Sequence, residues 1–212
     1  MTRSGMRWRF RRVAVGSVAG LLALAGAGVS AAPASADTTI TVRYPVTGST
    51  HLAAPNATLP LGPGKLTATA DLNTDNVTAK LSLPDATGSF KELSVIPVTA
   101  TAQLINDGPT TGTVNPNTGA VATTSKITMR IVDLKVGGVD VPVGNSCQTV
   151  TPVTVQVSSQ PGFNILNGGN LAGTYTIPPF AHCFLETLVI NLTLPGPGNT
   201  ITLTLGKGKV IT

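Results

Sequence analysis

The sequence is poor in the side chains that carry out chemistry. Charged residues make up 11% of the 212-residue chain and aromatic residues 4%, with two histidines and two cysteines. His51 and His182 have no spacing that chelates a metal, and no H-E-x-x-H motif occurs. No serine sits in a G-x-S-x-G elbow. Gly62-Pro63-Gly64-Lys65-Leu66 echoes a phosphate loop only faintly: an earlier glycine and a Ser or Thr after Lys65 are missing, and Pro63 has no N–H to donate. These absences exclude the motif-bearing hydrolases, metalloenzymes and nucleotide binders. No catalytic residue, metal site or cofactor is expected.

Balanced charge is equally informative once the N-terminus is set apart. Arg3, Arg7, Arg9, Arg11 and Arg12 precede an apolar run from Val13 to Val29, followed by small residues and Ala34-Ser35-Ala36. A positive region, a short apolar region and an A-x-A site describe a secretory signal peptide, so residues 1–36 are expected to be cleaved between Ala36 and Asp37. The run is short and rich in Gly and Ala, which argues against a permanent membrane span. The chain has 14 basic and 9 acidic residues; five of the basic ones and none of the acidic ones lie in the leader, leaving nine of each. The basic pI thus belongs to the leader. The remaining Lys and Arg are scattered, with only Lys207 and Lys209 close together, so no nucleic-acid partner is expected.

What remains, residues 37–212, suits a single domain. In an exported chain Cys147 and Cys183 are expected to form one disulfide, worth roughly 3–4 kcal/mol on the loop-entropy estimate.

Period two dominates this part of the chain. Ile40–Tyr44, Leu66–Leu72, Val77–Leu83, Val98–Leu104, Val153–Ser158, Leu188–Leu194 and Ile201–Leu205 each alternate apolar with polar residues, Thr most often being the polar one. Alternation places one face on a core and the other in water. Asn73-Thr74-Asp75-Asn76 predicts a hairpin of Leu66–Leu72 with Val77–Leu83, and Asn115-Pro116-Asn117-Thr118-Gly119 a second one. Between Ile131 and Leu134 the apolar phase shifts from odd to even positions, which predicts a β-bulge near Val132-Asp133 or a strand crossing between sheets. No segment carries capped helical spacing over three turns. The pattern predicts an all-β fold: a single antiparallel β-sandwich, immunoglobulin-like or a related Greek key, with one disulfide.

Two features could hold a site. Asp71 with Asp75, and Asp133 with Asp140, flank turns; such residues usually shape turns by bonding to nearby backbone, and no full Ca²⁺-loop spacing is present. Four of the six aromatic residues after residue 36, Phe163, Tyr175, Phe180 and Phe184, fall in one stretch with His182 and Cys183. Phe163, Tyr175, Phe180 and His182 are therefore candidate ligand-binding residues. The competing reading makes them a plug around the disulfide, and the scarcity of other aromatics for the core favours it.

The arginine-rich leader, the Ala34-Ser35-Ala36 site and the Thr-, Val-, Pro- and Gly-rich body together resemble small secreted β-rich proteins of high-GC Gram-positive bacteria. The resemblance is one of composition; it implies an extracellular or envelope location and carries over no functional residue. The expectation is a secreted, non-catalytic binding or structural protein, with a cell-envelope component or a protein as its partner. The alternatives are a self-assembling or membrane-interacting β protein, and a secreted hydrolase using carboxylates such as Asp133 or Glu186.

Overall fold

The structure, a computed structural model, describes residues 38–92 and 95–211. The leader and the Ala36–Asp37 cleavage point lie outside the described residues.

Strands follow the alternating segments and extend them. In chain order they are β1 (Thr39–Leu52), β2 (Ala57–Asp71), β3 (Asn76–Ser82), β4 (Ala86–Glu92), β5 (Ile96–Asn106), β6 (Thr110–Val114), β7 (Val121–Val136), β8 (Val139–Asp140), β9 (Gln148–Thr149), β10 (Val153–Ser159), β11 (Gly169–Ile177), β12 (Phe180–Ala181), β13 (Gly196–Leu205) and β14 (Lys209–Ile211). Both predicted hairpins form: Ala70 pairs with Val77 at the β2–β3 turn, and Val114 pairs with Val121 at the β6–β7 turn.

The sandwich is not what these strands build. Antiparallel pairing runs β10-β11-β13-β1-β2-β3-β6-β7, and β7 then pairs with β10, from Val153 opposite Ile127 to Ser158 opposite Ala122. That last ladder closes an eight-strand barrel. Period two reveals that one face is buried but not what covers it, and a sheet that curls on itself satisfies the pattern as well as a second sheet does. Closure also removes the free edges that a sandwich would leave.

Two irregularities set the shape of the barrel. In β7, Ile131 pairs with Ala102 and Asp133 with Thr101, so Val132 is the extra residue of a bulge and points outward. The predicted phase change is this bulge. The first half of β7 belongs to the barrel, whereas the second half pairs with β5, which pairs in turn with β4. In β1 and β2, the register slips between Val46 and Gly48, opposite Gly62-Pro63-Gly64. Before this slip the buried positions of β2 are Ala57, Leu59 and Leu61; after it the inward positions are Leu66, Ala68 and Ala70. The glycine-proline segment thus re-aims the strand rather than holding a phosphate.

One alternating segment is not a strand. Leu188–Leu194 was expected to be extended, yet Thr187–Thr193 forms the short helix α1, preceded by a 3-10 turn at Phe184–Glu186. Seven residues at these spacings satisfy either period, and here tertiary contacts decide. Asn191 fixes the helix to β12: its Oδ1 accepts from the Phe180 N–H at 2.7 Å and its Nδ2 donates to the Phe180 carbonyl at 2.9 Å. Ile190 is buried, whereas Phe184, Leu188, Val189 and Leu192 are exposed.

The core fills one end of the barrel. Cys147 and Cys183 form the expected disulfide and are fully buried. Ile131, Val153, Val155, Tyr175, Ile177, Phe180 and Ile201 pack in the same core cluster. The β4–β5 hairpin closes over this end. Gly88 lies so near the Leu59 side chain that a Cβ would come within 2.3 Å of it, so the backbone itself forms the contact.

Candidate functional site

At the other end the barrel is hollow. A cavity of about 490 Å³ lies between the strands and opens at the rim. All eight barrel strands contribute to its wall: Ile40, Val42 and Tyr44 from β1, Leu66, Ala68 and Ala70 from β2, Val77, Ala79 and Leu81 from β3, Thr110 and Val114 from β6, Val121, Thr123 and Ser125 from β7, Val157 from β10, Leu171 from β11, and Leu203 and Leu205 from β13. Each set occupies alternate positions of its strand, as the pleat requires. By contrast, the space left at the packed end is about 80 Å³.

The hollow follows from side-chain size. On β2, β3, β6 and β7 the wall is built largely from Ala, Val, Thr and Ser, too short to reach across the axis of an eight-strand barrel and meet the Ile, Leu and Tyr of the other strands. At the packed end the inward positions carry Leu, Ile, Phe and Tyr. Backbone closure is the same at both ends.

Several of the few polar side chains of the wall are already hydrogen-bonded. Thr110 and Ser125 share a hydrogen bond of 2.7 Å across the β6–β7 ladder. Tyr44 is buried, and its hydroxyl donates to the Ile165 carbonyl in the β10–β11 loop. Burial holds the Tyr44 phenol above its ordinary value, so it stays protonated and remains a donor. Asp75 is the one ionisable carboxylate in the lining, and no Lys, Arg or His joins it.

Three turns frame the rim, and each is closed by its own side chain. Asp71 accepts from the Asn73 N–H at 2.8 Å and from the Thr74 N–H and hydroxyl, and these bonds hold its carboxyl below the ordinary range. Asn115 accepts from the Asn117 and Thr118 N–H groups. Asn164 accepts from those of Leu166 and Asn167. Such Asx turns satisfy loop backbone without outside partners. Asp71 therefore shapes its turn, whereas Asp75 lines the cavity. At the other acidic pair, Asp140 bonds Lys135 at 2.8 Å on the exposed surface.

The four aromatic-stretch candidates do not assemble into one site. Phe163 is half-buried and lines the open cavity. Tyr175 and Phe180 are buried in the packed end. The Tyr175 hydroxyl bonds Thr50 Oγ1, which itself donates to the Thr200 carbonyl at 2.9 Å, so Tyr175 is the donor of the pair. Burial raises the Tyr175 phenol, so it stays protonated and able to donate. His182 is exposed beside the disulfide, with a left-handed φ of 61°. Neighbours in sequence, these residues are divided between the two ends because β11 runs the length of the barrel. The cavity residues on β2, β3, β6 and β7 escaped the sequence reading. Their signal was available: inward positions of adjacent strands carrying Ala, Thr and Ser where a core needs bulk.

Among the described residues, no group of three or more His, Cys, Asp or Glu could hold a metal ion. No described helix is long and apolar enough to cross a membrane. The strands bury Val, Leu and Ile inside and expose Thr, Ser, Asn and Lys outside. That polarity is the reverse of a transmembrane barrel's. Compared with known proteins, the chain matches no family model, no curated protein and no solved structure.

Proposed function

We propose that the protein is a non-catalytic extracellular binding protein whose barrel holds one small apolar molecule. The observation that carries this reading is the cavity: about 490 Å³, walled by all eight strands, apolar, and open at one rim. Pockets for small molecules typically run about 300–1,000 Å³, are largely apolar, and occur in the mouths of β-barrels. Leaving such a hollow costs packing contacts, and a bound apolar molecule restores them. The disulfide supports an oxidising compartment, and the arginine-rich leader supports export. A hydrolase has less support. Asp133 on β7 and Glu186 on the 3-10 turn lie on separate elements and neither lines the cavity, while Asp71 is committed to its turn and Asp140 to Lys135. A membrane-spanning barrel has less still, given the polar outer face.

The test is titration with an environment-sensitive apolar dye, in the wild type and in Ala68→Phe. Ala68 projects into the hollow, so the larger ring occupies ligand space while the outer face is unchanged. One dye per wild-type chain, lost in Ala68→Phe with the melting temperature retained, is the expected outcome. Equal binding by a folded Ala68→Phe variant places the dye elsewhere and removes the proposal.

A further inference from the structure

The charge on the cavity wall bears on the ligand's polar end, an inference that rests on the binding reading above. A molecule seated in this hollow meets hydrocarbon over nearly all its surface. Asp75 is the one carboxylate in the wall, and no Lys, Arg or His joins it. Asp75 follows the β2–β3 turn at the rim, lines the hollow and is half-buried, so it lies between the cavity and the solvent. Its main chain is fixed: the carbonyl accepts from the Val114 N–H at 2.9 Å, and φ is 59°. Of the other polar side chains in the wall, Thr110 bonds Ser125, Tyr44 bonds Ile165 and Asn115 bonds its own turn, and Thr123 is neutral. Lys207, on the β13–β14 link, and Lys209, which begins β14, belong to the same end, but both are exposed and outside the lining.

We infer that the ligand is an amphiphile with an apolar body and a head that donates hydrogen bonds, an ammonium above all, seated against Asp75. A carboxylate head is disfavoured: it brings a second negative charge to Asp75 and finds no cation in the wall. A carboxylate accepts and cannot donate at neutral pH, so an amine or hydroxyl is the complementary head. Because the site is partly solvated, the selection is moderate rather than absolute.

Three probes of equal chain length separate the possibilities: dodecylamine, dodecanol and dodecanoic acid, each displacing the apolar dye from the disulfide-bonded protein. The amine is expected to bind tightest and the acid weakest. In Asp75→Asn the amine is expected to weaken about three- to tenfold, the alcohol to change little and the acid to improve. Asparagine tolerates a left-handed φ, so the turn is preserved. Added salt should narrow the spread between amine and acid in the wild type. If all three bind equally and Asp75→Asn alters none, the head-group assignment is wrong and the binding reading stands. If the acid binds tightest, the head lies against Lys207 and the assignment is overturned. If none displaces the dye, the binding reading itself falls.

Discussion

The two ends of the barrel share the same eight strands and the same inward-outward alternation, yet one end is a core and the other a chamber. The difference lies in what the inward positions carry. β7 contributes Val121, Thr123 and Ser125 to the open end and Ile127 and Ile131 to the packed one. β2 contributes Leu66, Ala68 and Ala70 to the first, Leu59 and Leu61 to the second. Hydrogen-bonded closure fixes the diameter of the tube, and side-chain volume then decides whether the tube is filled. The means of stabilisation differ as well. The packed end relies on burial and a cross-link, whereas the rim relies on short-range hydrogen bonds within its turns.

The sharpest way to break this contrast is to remove the cross-link. Replacing Cys147 and Cys183 with alanine should cost about 2–5 kcal/mol, read from urea unfolding, because the bond ties β12 and α1 to the loop before β9. A loss below ~1 kcal/mol would mean that the packed end holds itself together by burial alone. Next comes truncation of one apolar side chain at each end. Ile131→Ala, at a site 2% exposed, should cost about 2–5 kcal/mol, since the new void has packed neighbours on every side. Leu66→Ala faces a hollow that already exists and should cost only about 1–2 kcal/mol while enlarging the ligand space. Equal losses at the two positions would show that the open end is filled in solution.

The smallest effect concerns pH. Burial keeps both Tyr44 and Tyr175 protonated beyond their ordinary value of about 10. Above that pH the folded state binds more protons than the unfolded chain. This part of the stability is therefore complete below about pH 10 and is lost as pH rises through the raised folded values. Melting temperatures followed into the alkaline range should fall, and Tyr175→Phe should fall less steeply than wild type. Parallel curves would assign the alkaline loss to other groups.

How much of this was legible in the residues differs by level. The rim turns at Asp71 and Asn115 could be read directly, because Asx chemistry is local. The Val132 bulge was equally readable, since a one-residue slip leaves a phase change in the apolar pattern. Closure of the barrel was not, because it depends on β7 meeting β10, a pairing between strands whose turns say nothing about each other. The helix at Thr187–Thr193 was misread because its placement depends on Asn191 gripping β12, a contact outside its own period. Tyr175 and Phe180, candidate ligand-binding residues with a core plug as the competing reading, are buried in the packed end, whereas Phe163, nearby in sequence, went to the opposite end. The chamber left only a compositional trace, small inward residues on four strands. That trace becomes interpretable once the strands are known to face one another.

The tyrosines divide between the ends. The chain has two, Tyr44 on the chamber wall and Tyr175 in the packed end, and its single tryptophan, Trp8, lies outside the described residues. In a chain without Trp8, emission excited in the tyrosine band comes from these two phenols. Each reports on one end, and a Phe substitution silences either without touching the other. The molecule thus carries its own pair of optical probes: Tyr44 for events in the chamber, Tyr175 for loosening of the core.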